Sequence, residues 1–278
     1  MSKSNMKFDL EEGAGSFVFH DDAVSPRRTM RVFSFCPRSN RPSARIIIAM
    51  HGVDRAAAAF RDLLAPQAER NGQILLVPEF DSGQFPGVHL YNFGGVRLPP
   101  PDNTVLPREL WNFAIIDRLF RFVKHAIGSD RETFGLFGNS AGAQYVLRYL
   151  ALTEAAAVDR AVAANCGVYM LPNFTAEYPI GMAGIGLEPN HLRRYLGRSL
   201  VILLGGADND PDAFDLPRMD YAMAQGPHRL ARGLWHFDHC AALADRIGVK
   251  LGWRLEIAHG AGHVDQQIYN RGSDILKG

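Results

Sequence analysis

The chain has 278 residues, 47% of them hydrophobic, enough to bury a large core as one domain with insertions. Thirty basic and 29 acidic residues give a formal net charge of +1, so nothing electrostatic points to nucleic acid or an anionic membrane as a partner. The first nine residues hold no apolar run of signal-peptide length, and no later run is long enough to span a bilayer. Three cysteines, Cys36, Cys166 and Cys240, are an odd number at unrelated spacings, which excludes a disulfide framework or a metal signature and makes a cytoplasmic setting the expectation.

In chain order, short apolar runs alternate with longer helical patterns, which predicts an α/β fold with a mostly parallel sheet and helices on both faces. Strands at 16–20 and 30–36 read as an edge hairpin, and the fully apolar run 45–50 as a central parallel strand. A helix over 56–71 places Phe60, Leu63, Leu64 and Ala68 at helical spacing, and a strand follows at 73–77. From 78 to 107 the periodicity stops: glycines and prolines are frequent, yet four aromatics (Phe80, Phe85, Tyr91, Phe93) predict a packed segment. A helix over 109–126 carries Trp111, Ile115, Leu119 and Phe122 on one stripe.

Gly138-Asn139-Ser140-Ala141-Gly142 stands between a β-prone run, 132–137, and a helix-prone one, 143–150. A Ser between glycines at such a turn has the form of a nucleophile elbow, where larger flanking side chains would clash with strand or helix. It would present the Ser140 hydroxyl above the sheet and aim the Ala141 N–H at a forming oxyanion. Further strands are predicted at 159–164 and 199–204, separated by an irregular stretch, 166–197, with a short helix at 191–196, readable as a small cap. A helix over 234–248, a last strand at 253–258 and a final helix over 264–276 complete the chain.

Ser140 requires a base. His263 lies in the Gly-rich loop after the last strand, at the sheet edge where Ser140 would emerge; His259, which ends that strand, is its rival and reads as structural. The third member should be a carboxylate. Asp208 is the first acid after the strand ending at Leu204, and Asp210 and Asp212 stay open as alternatives. His51-Gly52-Val53-Asp54 offers the second oxyanion donor in the N–H of Val53 or Asp54, with His51 as a brace. Cys166, without a glycine-flanked turn, reads as a buried packing residue. Tyr91, Phe93 and Tyr169 are candidate pocket residues, and both 78–107 and 166–197 are expected to overhang Ser140. No phosphate loop, dinucleotide fingerprint or metal spacing occurs, so neither cofactor nor metal is expected.

The order Ser140, Asp208, His263 resembles that of the α/β-hydrolase superfamily. With His51-Gly52-Val53 and Gly262-His263, the chain is similar to its poly(3-hydroxybutyrate) depolymerase and feruloyl esterase-like branch. The resemblance implies Ser140 as nucleophile, Asp208 as acid, His263 as base, and Val53 and Ala141 as oxyanion donors. It also implies a cofactor-free serine hydrolase acting on a small or oligomeric carboxylic ester. Amide cleavage or acyl transfer on the same triad, and a non-catalytic binding protein on this scaffold, are the competing expectations.

Overall fold

The structure, a computed structural model, describes residues 10–24, 28–38 and 43–277. The first nine residues, read above for a leader, lie outside them. Eight strands form one sheet: β1 (Gly13–Asp21), β2 (Arg28–Cys36), β3 (Arg45–Met50), β4 (Gln73–Pro78), β5 (Phe134–Asn139), β6 (Val158–Ala164), β7 (Leu200–Gly205) and β8 (Trp253–Ala258). Their order is β1-β2-β4-β3-β5-β6-β7-β8; β1 and β2 pair antiparallel, β2 meets β4 antiparallel, and all remaining neighbours are parallel.

The residue types account for the two kinds of strand. β3, β5 and β7 (RIIIAM, FGLFGN, LVILLG) are buried along their whole length, as strands covered on both faces must be. Edge strand β1 alternates exposure along most of its length. The period of two is visible within β3: Ile46, Ile48 and Met50 join one core, and Ile47 and Ala49 join the core on the opposite face.

The helices divide between those faces. α1 (Ala57–Asn71) and α8 (Gln266–Ile275) cover one side and touch each other. α3 (Ala114–Ala126), α4 (Ala141–Leu152), α5 (Pro189–Gly197) and α7 (Arg229–Arg246) contribute to the larger core on the other. Two single-turn helices, α2 (Gly87–Leu90) and α6 (Asp220–Met223), interrupt the long connections after β4 and β7. Among the described residues no helix is long and apolar enough to cross a membrane.

Two helix starts differ from the sequence expectation by more than two residues. The helix expected from 109 begins at Ala114, because Trp111 and Asn112 anchor the preceding loop: the Trp111 indole donates to Leu106 O at 2.8 Å and the Asn112 amide to Leu90 O at 2.6 Å. α7 begins at Arg229 instead of 234, capped by His228, whose Nδ1 accepts from Ala231 N at 3.2 Å.

Candidate active site

β5 delivers Ser140 to the C-terminal edge of the sheet, and α4 starts at the next residue. Ser140 has φ 57° and ψ −117°, a left-handed conformation that non-glycine residues avoid and that functional turns retain. Its flanking glycines are sterically required. A Cβ on Gly138 would sit 2.3 Å from Gly142 O, and one on Gly142 would sit 1.9 Å from Met50 O. That second contact seats the start of α4 against the end of β3. Val53, on the loop that follows, lines the same cavity as Ser140, and among the described residues neither Val53 N–H nor Ala141 N–H donates to an acceptor.

The loop after β8 brings His263 to Ser140, with Nε2 3.0 Å from Oγ. On its other side Nδ1 lies 2.8 Å from Asp208 Oδ2. A carboxylate oxygen only accepts, so Nδ1 carries the ring proton and Nε2 is left to accept from the serine hydroxyl. Asp208 is buried, while Asp210 and Asp212 are exposed and make an Asx turn of their own, Asp212 N donating to Asp210 Oδ1 at 2.8 Å. His259 is exposed at the strand end.

Asn165, the residue after β6, fixes this geometry. Its amide donates to Gly262 O at 3.1 Å and His263 O at 3.0 Å, while its oxygen accepts from Gly205 N at 2.7 Å. One buried side chain thus ties the ends of β6 and β7 to the His263 loop. Asp265 holds the loop from beyond, capping α8 through Gln267 N and accepting from Gly262 N.

Asp208 has a second partner that the sequence reading did not find. The Arg229 guanidinium, buried at the start of α7, lies 3.4 Å from Asp208 Oδ1 and donates to Asp215 Oδ1 at 2.5 Å. Asp215 in turn places Oδ2 3.9 Å from His263 Nε2. Partial burial pushes the Asp215 carboxyl up, but the hydrogen bond and charge of Arg229, with a contribution from His263, outweigh it and hold it below the usual carboxylate range. One sequence signal existed: an arginine at a helix N-terminus opposes the helix dipole and calls for local carboxylates.

His51 is a brace, as expected. Its Nε2 accepts from Phe80 N at 3.1 Å, its ring stacks on Tyr91, and burial pushes it down to about 4, so it is neutral. Cys166 is buried with its sulfur 3.1 Å from Val168 O, and burial pushes the thiol up to about 12, which keeps it an unreactive thiol.

A cavity of about 270 Å³ opens at Ser140 and His263. Its apolar wall is Ala56, Ala59, Phe60 and Leu63 around α1, together with Val53, Val264 and Tyr269, and its acids are Asp54 and Asp215. Tyr91, Phe93 and Tyr169 do not line it, which corrects the expectation for all three. Tyr91 is fully buried beneath His51, donating its hydroxyl to His51 O at 2.6 Å. Tyr169 is fully buried against His236, and Phe93 packs under the Arg148 guanidinium and beside Tyr178. Nor does any residue of 78–107 or 166–197 line this cavity; their aromatics fill the core instead.

No protein-family model matches the chain, and no curated protein sequence does either. Solved structures do. The chain is 34% identical to poly(aspartic acid) hydrolase-1 from Sphingomonas sp. KT-1, with a TM-score of 0.91 over 96% of this chain and 99% of that one. It is 31% identical to a poly(3-hydroxybutyrate) depolymerase from Bordetella parapertussis, with a TM-score of 0.87 over 94% of this chain and 88% of that one. An S-formylglutathione hydrolase from Agrobacterium tumefaciens, 14% identical with a TM-score of 0.59 over 97% and 95% of the two chains, shares the fold.

Proposed function

The chain belongs to the α/β-hydrolase superfamily, in its poly(3-hydroxybutyrate) depolymerase-like branch, and is a hydrolase; on that premise we propose that it cleaves carboxylic esters through an acyl-enzyme on Ser140, His263 and Asp208. The observation that carries this reading is the unbroken line of contacts from Ser140 Oγ through both ring nitrogens of His263 to Asp208, at 3.0 and 2.8 Å.

The chemistry follows from that line. Ser140 Oγ bonds to the ester carbonyl carbon as its proton passes to His263 Nε2, and Asp208 stabilises the resulting imidazolium. The carbonyl oxygen becomes an oxyanion held by the N–H groups of Val53 and Ala141. Collapse breaks the bond to the alcohol oxygen, which leaves with the proton from Nε2. A water then gives its proton to Nε2 and its oxygen to the acyl carbon, and Ser140 recovers its proton as the acid departs. No cofactor or metal takes part in this scheme. The apolar α1 wall suits the hydrocarbon part of such a substrate.

A second reading, amide cleavage on the same triad, is favoured by the 34% identity to a hydrolase whose named substrate is a polyamide. Matched ester and amide substrates with one acyl group separate the two through the amide, since any triad hydrolase finds the ester easier: the ester reading expects ester turnover with none of the amide, and amide turnover that is lost in Ser140→Ala rejects it. We assign the protein to the cytoplasm, a setting supported by three cysteines that form no disulfide among the described residues.

A further inference from the structure

Asp215 lines the cavity, yet acyl transfer at Ser140 leaves it without a task. Its position gives it one. Oδ2 lies 3.9 Å from His263 Nε2, the nitrogen that hands its proton to the departing group. The departing heteroatom must come within about 3 Å of that nitrogen to receive the proton. Asp215 therefore flanks the leaving group.

Its charge is only partly neutralised. Arg229 is buried and is shared between Asp208 and Asp215, two carboxylates against one guanidinium. The other ionisable groups lining the cavity are Asp54, His263 and Tyr269, whose phenol is pushed up to about 12 by burial and so stays neutral, and neither Lys nor Arg is among its lining residues. Asp215 remains the ionised form because Arg229 holds its carboxyl low against the effect of partial burial. Its Oδ1 is engaged by Arg229, and Oδ2 is the carboxylate oxygen that faces the catalytic nitrogen.

We infer that Asp215 selects the leaving group by charge: the site takes esters whose alcohol carries a positive charge or a hydrogen-bond donor beside the scissile oxygen, and discriminates against alcohols bearing a carboxylate. This rests on the ester-hydrolase reading above. It also separates this site from one suited to an aspartyl polymer, because a carboxylate on every repeat would meet Asp215 and Asp54 at close range. Asp208 is spared such a role by its burial and its bond to His263.

The test uses three butyrate esters that differ in the alcohol: choline, its uncharged isostere 3,3-dimethylbutanol, and 3-hydroxypropanoate. A charge difference at this range in a partly exposed site is expected to give the wild type a kcat/KM for choline about tenfold above the neutral ester, and the neutral ester about tenfold above the anionic one. Asp215→Asn keeps the shape and the hydrogen-bond capacity towards Arg229 and should bring all three within about threefold of one another, whereas Asp215→Glu should keep the order. Added salt should narrow the wild-type spread. A wild type indifferent to leaving-group charge, or a spread unchanged in Asp215→Asn, overturns the inference and leaves the ester reading standing. A wild type that turns over none of the three overturns both.

Discussion

Of the long irregular connections that leave the C-terminal edge of the sheet, those after β4 and β7 do opposite things. The first, 79–113, is rich in aromatics and glycine, and it turns its aromatics inward: Phe80, Tyr91 and Phe113 pack around Tyr145 of α4. The second, 206–228, has exposed acids and few buried side chains, and it supplies Asp208 and Asp215. Aromatic content in an irregular segment marks where a core needs filling, because a large apolar side chain gains more by burial than by waiting for a ligand. An acid that is buried in a polar loop marks chemistry, because burying it is costly unless it has partners.

Damage to the β7 segment should therefore cost turnover, and damage to the β4 segment should cost stability. The largest effect should come from Asp208→Asn, which favours the wrong tautomer of His263 and should lower kcat by about 10⁴ while the melting temperature changes little. Asp210→Asn should leave steady-state kinetics near wild type, since Asp210 only closes an exposed turn. A severe Asp210 variant would move the acid two residues along the loop.

Tyr91→Ala is the mirror experiment. It removes a fully buried ring stacked on His51 and strands the His51 carbonyl, so it should destabilise the fold by about 3–5 kcal/mol in denaturant titrations. Surviving folded enzyme should retain its ranking of ester substrates. A changed ranking with unchanged stability would return the β4 segment to the substrate pocket.

His51 gives that same region a pH signature. In the folded protein burial holds it to about 4, against an ordinary value of 6.5. Between those values the unfolded chain binds the extra proton, so stability rises with pH: the contribution of His51 is complete above about 6.5 and is lost as pH falls towards 4. The shift corresponds to about 3 kcal/mol. Buried His236, pushed down to about 3, acts with the same sign. Denaturant midpoints at pH 7 and pH 4.5 should therefore fall further apart for wild type than for His51→Gln, and equal slopes would mean that His51 is not the buried neutral brace described.

The smallest expected effect sharpens the comparison from the opposite wall. Leu63 of α1 is 38% exposed and faces the cavity. Leu63→Ser should shift stability by no more than about 0.5 kcal/mol, as partly exposed positions do, while raising KM for long-chain acyl esters relative to short ones. Equal KM changes across chain lengths would remove α1 from the acyl side of the pocket.

Much of this was legible in the sequence, and for identifiable reasons. Central strands such as β3 announce themselves because burial on both faces permits only apolar residues, and the elbow because only glycine fits on either side of Ser140. His263 and Asp208 could be placed because both lie within a few residues of a strand's C-terminal end, so position along the chain fixes position along the edge. Asp215 and Arg229 could not. Their meeting depends on how a 23-residue connection (206–228) folds back onto the start of α7, and no local pattern encodes that return. Asn165 was missed for a different reason: its role lies in backbone carbonyls of a distant loop, which leave no trace in the identities of Gly262 and His263. The cavity wall was missed because α1 reads as an ordinary amphipathic helix, and Leu63 as one more core residue.

Reaction with a fluorophosphonate followed by peptide mass analysis tests whether Ser140 is a nucleophile activated by His263. One phosphonyl adduct is expected, on the peptide containing Ser140, formed by the wild type and lost in both Ser140→Ala and His263→Ala. An unlabelled wild type, or an adduct that persists in Ser140→Ala, would contradict it.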